Sequence, residues 1–258
     1  MDAELKLGES ICEINEDLRL IQRTDGIKFG TDSYLLSAFI KKNLRGECAD
    51  LGAGSGVISL FAAARCSFDK IHSIEIQHEF AELIARNASL NGFAEKIVPH
   101  ELDVRRVSDN FAPESMTEVF SNPPYMKCGS GKGNEAPELN AARREENGTI
   151  DDFCRCAAYL LKYGGTFRCV YRPERTASLI AALRENSLEP KRMIFVHPDS
   201  ESPPSLVLTE AKKGGSEGLK ISRPLIIYDG ANNYEARKYT EDTERVYEEF
   251  SLEHLFDK

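Results

Sequence analysis

No two cysteines in this 258-residue chain are spaced Cys-x-x-Cys, and the seven present, at 12, 48, 66, 128, 154, 156 and 169, are odd in number. That spacing gives no zinc site and no disulfide framework, so the thiols are expected to be reduced and mostly buried. The histidines, His72, His78, His100, His197 and His254, fall at no metal-ligand spacing, and no metal is expected. No apolar run approaches the ~18–20 residues that cross a bilayer, and Met1-Asp2-Ala3-Glu4 does not begin a basic-then-apolar leader. A cytoplasmic protein without membrane contact is expected. Basic residues are short of acidic ones, 33 against 42, for a net charge of −9. Counterion release needs clustered Lys and Arg, so loose electrostatic binding to nucleic acid is disfavoured and any such contact has to be local. There is no internal repeat, and 41% apolar with 29% charged residues shows no large-scale sign of disorder. A chain of this length can bury a full core, and one α/β domain is expected.

What is present is an alternation of apolar strands and amphipathic helices with short connections, the pattern of a parallel sheet covered on both faces. Residues 1–45 precede it as part of the same domain. Ile11-Cys12-Glu13-Ile14 and Leu18-Arg19-Leu20-Ile21 read as a small antiparallel flap. Gly30-Thr31-Asp32-Ser33 follows, with Thr31 or Asp32 able to cap a helix whose apolar positions are Leu35, Leu36, Phe39 and Ile40. Residues 46–258 hold the main sheet. Its first strand ends at Asp50-Leu51, its second at Glu75, its third at Asp103 and its fourth at Ser121. Residues 126–148 form a long polar loop, and then the spacing predicts a helix from about Thr149 to Tyr163, a strand Thr166–Tyr171, a helix Glu174–Glu185 and a strand Arg192–His197. Leu206-Val207-Leu208 and Leu225-Ile226-Ile227-Tyr228 read as an antiparallel pair, and residues 239–256 as a solvated amphipathic helix.

Two stretches carry chemistry. Asp50-Leu51-Gly52-Ala53-Gly54-Ser55-Gly56, between a strand and a helix, lets backbone approach a ligand closely, and its Gly-x-Gly-x-Gly spacing departs from the Gly-x-Gly-x-x-Gly of dinucleotide binders. A carboxylate at Glu75 can accept from both hydroxyls of a ribose, and one at Asp103 from an adenine amino group, although Asp103 alone reads better as a helix cap. The second stretch is Ser121-Asn122-Pro123-Pro124-Tyr125. Proline fixes φ and restricts the residue before it, so this peptide is stiff. The Asn122 side-chain oxygen and the Pro123 carbonyl can then both accept from one NH2 group while the Tyr125 ring offers a stacking face. A Pro-rich loop with a plugging tyrosine is the bland alternative.

Together these residues resemble the class I S-adenosylmethionine-dependent methyltransferases that modify an exocyclic or amide nitrogen. The resemblance implies a Rossmann-like three-layer sandwich whose seven-stranded, mostly parallel sheet has the order 3-2-1-4-5-7-6, with S-adenosylmethionine as cofactor. More narrowly, Lys28-Phe29-Gly30-Thr31-Asp32-Ser33, Leu188-Glu189-Pro190-Lys191-Arg192, Phe195-Val196-His197-Pro198 and Pro224-Leu225-Ile226-Ile227-Tyr228 are similar to the tRNA (adenine-N6)-methyltransferase family that acts on adenosine 37 of a valine tRNA. It implies that Phe29, Gly30, Thr31, Asp50, Gly52, Gly54, Gly56, Glu75, Asp103 and Asn122 line the donor site. Asn122, Pro123 and Tyr125 are then the catalytic set, and Pro124, Tyr125, Lys127, Arg143 and Arg144 meet the RNA. Lys132, Arg172, Arg175, Lys212 and Lys213 are further candidates for RNA contact, each also readable as a surface charge. Where that family carries Ala-Arg-His-Glu, this chain has Ala142-Arg143-Arg144-Glu145, a departure that bears on substrate more than on chemistry. The expected partner is tRNA and the expected state a monomer. A protein-glutamine N5-methyltransferase, which uses the same clamp on a side-chain amide, and a non-catalytic RNA-binding factor are the alternatives.

Overall fold

The computed structural model describes residues 5–15, 17–24, 30–124, 148–230 and 238–256. A hairpin of β1 (Glu9–Glu13) and β2 (Arg19–Arg23) comes first, then α1 (Thr31–Phe39). The sheet begins with β3 (Arg45–Leu51), α2 (Val57–Arg65), β4 (Ser67–Glu75), α3 (His78–Leu90), β5 (Ile97–Glu101) and β6 (Met116–Ser121). It continues with α4 (Ile150–Leu160), β7 (Leu161–Tyr171), α5 (Thr176–Glu185), β8 (Leu188–His197) and β9 (Leu206–Lys213). Short strands β10 (Lys220–Ile221), β11 (Leu225–Ile226), β12 (Tyr228–Asp229) and β13 (Lys238–Tyr239) lead to α6 (Glu241–Glu249). The sheet runs β8-β9-β7-β6-β3-β4-β5, with β10 and β11 added on β8. Numbered from β3, that is the 3-2-1-4-5-7-6 order read from one edge. Only β9 runs antiparallel to its neighbours, β7 and β8.

Alternation along the strands builds a core on each face. Cys48, Phe120, Val170 and Leu208 join α1, α2 and Ile84 of α3 on one side, while Ala49, Val119, Phe167 and Val207 join α4 and α5 on the other. Phe120 and Phe167 are fully buried, and each such side chain is worth roughly 1.5–3 kcal/mol in transfer from water. Thr149 caps α4 by accepting from Asp152 N–H while the Asp152 carboxylate accepts from Thr149 N–H, a reciprocal capping box. Among the described residues no helix is long and apolar enough to cross a membrane, and no His/Cys/Asp/Glu group could hold a metal.

Three local expectations are corrected. Leu206–Leu208 belongs to β9, inserted between β7 and β8, and Leu225–Ile226 pairs parallel to β8, so the two do not form an antiparallel pair. Gly30, not Thr31 or Asp32, is the N-cap of α1, and no side chain caps it. The last segment is not one helix: α6, which Thr240 caps, is followed by a 3-10 turn at Glu253–Phe256, and Val246 and Leu255 are buried in the core.

The first face also holds a buried charge group. Arg168, 2% exposed, donates to Glu118 and Glu210 from neighbouring strands, the latter bonds measuring 3.0 and 2.8 Å. Removing one member of such a group leaves uncompensated buried charge and costs about 3–5 kcal/mol, whereas replacing all of it with apolar side chains is often neutral. Urea denaturation should therefore show Arg168→Leu losing about 3–5 kcal/mol, with most of that recovered when Glu118→Leu and Glu210→Leu are added.

Candidate active site

β3 and β6 are parallel neighbours in a register that sets Leu51 beside Ser121, and the Ser121 hydroxyl donates to the Leu51 carbonyl at 2.8 Å. The glycine turn after β3 and the Asn-Pro-Pro peptide after β6 therefore leave the sheet side by side, at the carboxyl ends where open α/β sheets bind ligands. Within the turn, a Cβ at Gly56 would lie 3.2 Å from Ile84 of α3, so this position is set by close packing. At Gly54, where φ is +55°, a Cβ would meet nothing within 4 Å, so the turn presents bare backbone to open space. Gly52 also has a positive φ of 69°.

The three acids at strand ends have three different environments. Asp50 is fully buried and accepts from the Ser59 hydroxyl at 2.7 Å, and Ser59 in turn bonds Ser73. With no exposed surface of its own, Asp50 sits as a strut under the turn. Glu75 accepts from Gly54 N–H at 2.9 Å and from Gln77 N–H at 3.0 Å, which leaves part of its acceptor capacity for another donor. Burial raises its pKa, against the pull of those backbone donors. Asp103 is the N-cap of a short 3-10 turn and accepts from Arg105 backbone and guanidinium, with the pair lowering its pKa. Both its oxygens accept from Arg105, which is the capping arrangement the sequence also offered.

Asn122 is half-buried, Pro123 buried and Pro124 half-buried. The Asn122 carboxamide nitrogen donates to Asp32 Oδ2 at 3.0 Å and to Ser33 Oγ at 3.1 Å, both in the first turn of α1. Reversing the amide would set its oxygen against a carboxylate, so these partners decide which edge carries the acceptor. Gly30 assists: a Cβ there would fall 2.9 Å from Asp32 Oδ1. Asp32 and Ser33 are the site residues that sequence reasoning did not assign; their signal is the Gly-Thr-Asp-Ser string, which reads locally as a cap. Thr31 is exposed beside them at the helix start. Phe29, Tyr125, Lys127, Lys132, Arg143 and Arg144 lie outside the described residues. Of the other basic candidates, Arg172 pairs with Glu174 at 3.3 Å and Arg175 lies over the Tyr171 ring at 5.2 Å, both at the site end of β7. Lys212 and Lys213 are not brought to the site: the β7–β9 register sets Lys212 beside Thr166, at the opposite end of the strand from Tyr171. There they line a cavity of about 310 Å³ with Tyr163 and Lys191, remote from Asn122.

The sequence profile of the methyltransferase small domain family matches residues 24–186. A curated relative from Bacteroides fragilis, tRNA1(Val) (adenine(37)-N6)-methyltransferase, is 27% identical over 186 residues, 70% of this chain and 76% of that one. One of the same name from Yersinia pseudotuberculosis is 31% identical over 158 residues, 61% of each chain. Among solved structures, a predicted O-methyltransferase from Agrobacterium tumefaciens superimposes with a TM-score of 0.69 at 24% identity, covering 86% of this chain and 98% of its own.

The buried strut titrates in a useful range. Burial pushes the Asp50 carboxyl up from 3.8 to about 7, against the pull of Ser59. Between these values the folded protein keeps a proton that the unfolded chain has released, so stability is lost at this position as pH rises through that window. Comparing melting temperatures of Asp50→Asn and the unsubstituted protein should show the difference moving in favour of the variant from pH 5 to pH 8.

Proposed function

Because the chain belongs to the methyltransferase small domain family, we propose that it methylates the exocyclic N6 of an adenine in tRNA with S-adenosylmethionine as donor. The nucleotide we assign is the one its Bacteroides and Yersinia relatives are named for, adenosine 37 of a valine tRNA. The observation that carries the reading is the oriented Asn122 carboxamide, nitrogen held by Asp32 and Ser33, standing beside an open glycine turn. The turn and Glu75 fit an adenosine: bare backbone at Gly54 allows close approach, and Glu75 has acceptor capacity for ribose hydroxyls. When bound, S-adenosylmethionine supplies a methyl carbon made electrophilic by its sulfonium.

The chain's own residues have to make a poor nucleophile competent. An adenine amino lone pair is delocalised into the ring, and accepting both its N–H bonds, at Asn122 Oδ1 and the Pro123 carbonyl, favours the pyramidal form. The same two oxygens stabilise the positive charge that develops on that nitrogen and fix its direction of attack. No strong base is required, because the proton becomes acidic once the methyl is attached. Tyr125 stacks on the extruded base, with Pro124 stiffening the peptide between. Phe29, Gly30 and Thr31 are assigned to the donor, and Lys127, Arg143 and Arg144 to the RNA. A loop base is already partly unstacked, so extruding it costs a few kcal/mol or less, roughly. With a net charge of −9, the protein favours such a local, looped target over long duplex. It works in the cytoplasm as a monomer.

Asn122→Ala should lower kcat by about 10²–10³ while calorimetric binding of S-adenosylmethionine is retained, and unchanged turnover would remove the mechanism. Asp32→Ala, which frees the carboxamide to rotate, should lower kcat by a smaller factor with donor binding intact. In cells lacking the gene, mass spectrometry of tRNA nucleosides should show loss of N6-methyladenosine, restored by the intact gene and not by the Asn122→Ala form.

A further inference from the structure

The end of α3 that meets the hairpin carries Asn87 and, one turn on, the C-cap residue Asn91. Each closes a carboxamide on the outer edge of β2 as a peptide group would. Asn87 Oδ1 accepts from Ile21 N–H at 2.7 Å and its Nδ2 donates to the Ile21 carbonyl at 3.0 Å. Asn91 does the same at Arg19, with bonds of 2.9 and 2.7 Å. Alternate residues of one strand edge, which in a sheet would pair with a third strand, thus pair with side chains. Ion pairs add to the same contact: Arg86 with Glu9, Arg23 with Glu79 and Lys6 with Glu82, each at 2.6 Å.

The two asparagines differ in one bond. The second hydrogen of Asn91 Nδ2 goes to the Asn87 carbonyl within α3, whereas that of Asn87 goes to the Ser55 carbonyl at 2.9 Å. Ser55 sits between Gly54 and Gly56 in the turn, and the Asn87 side chain that reaches it is 0% exposed. Ile84, one turn back on the same face, is the side chain against which Gly56 packs. From β2 the chain goes on to Asp32 and Ser33, which hold Asn122. One buried carboxamide therefore touches both the turn assigned to the donor and the segment that leads to the acceptor clamp.

We propose that Asn87 is a positioning residue that fixes the glycine turn against the N-terminal hairpin, and that donor affinity depends on this bond. The inference rests on the donor-site reading above. Asn87→Asp keeps the size and the acceptor for Ile21 N–H but turns an oxygen toward the Ile21 and Ser55 carbonyls. Asn91→Asp makes the same chemical change at the hairpin without touching the turn.

Calorimetry of the full chain with S-adenosylmethionine, together with steady-state kinetics on tRNA, separates the two. For Asn87→Asp, Kd and KM for the donor should rise about tenfold or more while kcat at saturating donor changes less than about threefold. For Asn91→Asp the donor Kd should stay within about twofold. If Asn87→Asp does not fold, the uncharged Asn87→Ser, too short to reach both carbonyls, should show the same donor-specific loss and a smaller donor-induced rise in melting temperature. Donor binding unchanged in the folded Asn87 variant overturns the proposal, and so does an equal loss in the Asn91 variant, which would make hairpin anchoring alone responsible. Absence of donor binding in the unsubstituted protein would instead overturn the donor-site reading itself. Normal donor binding without transfer to tRNA would overturn only the substrate assignment.

Discussion

The candidate site depends on which way one amide faces. The nitrogen and oxygen ends of Asn122 have nearly the same shape, and packing alone distinguishes them poorly. Electrostatics does better. Asp32 Oδ2 at 3.0 Å is a charged acceptor, and a hydrogen bond to an ionised group is about twice as strong as a neutral one. Turning the amide over would exchange that bond for an approach of two oxygens. Ser33 Oγ at 3.1 Å adds a second acceptor on the same nitrogen. The start of α1 thus works as a jig for a residue some 90 positions further along the chain. Because Gly30 needs to leave room for Asp32, the short string before α1 is shaped by this contact as well as by helix initiation.

Around that jig the protein uses acids as internal supports. Asp50 ties the end of β3 to α2 through Ser59, and Glu75 ties the end of β4 to Gly54. The first is wholly enclosed and its carboxyl rises to about 7; the second is buried but keeps 5% of its surface exposed. Strand ends in a parallel sheet gather such groups because backbone N–H donors of the following turns point there, and carboxylates satisfy them at little geometric cost. Holding an acid at this location is therefore compatible with either a structural or a ligand-binding role, and exposure is what separates the two.

That ambiguity explains what sequence could and could not reveal. The alternation of strands and helices was legible in the residues themselves, whereas the strand order, with β9 inserted between β7 and β8, was implied only by the family resemblance. The residue pattern alone did not place β9, since an antiparallel strand inserted there has the same apolar pattern as one paired elsewhere. Asp50, Glu75 and Asp103 look alike in sequence; Arg105, two residues after Asp103, was the only local hint that this acid is engaged by its own turn. Asn122 stood out because prolines following an asparagine are costly unless the stiffness is used. Asp32 and Asn87 did not, since a polar residue at a helix start or within a helix has many commoner explanations than reaching a distant backbone.

The recurring device is the neutral carboxamide. Asn122, Asn87 and Asn91 each bridge segments far apart in sequence, and none brings a charge into the interior. A carboxylate in the place of Asn87 could accept from Ile21 N–H but would oppose two carbonyls, and a lysine could donate to both carbonyls but would leave that N–H unpaired. Only a side chain with donors and an acceptor on one flat group meets the three demands at once. The hairpin, α3 and the glycine turn therefore form one hydrogen-bonded unit, with α3 as its spine. α1, which continues the chain from that hairpin, carries the partners of Asn122. The two halves of the site are linked through a helix and a hairpin as well as through the sheet, and a disturbance at the hairpin edge has a short bonded path to the turn.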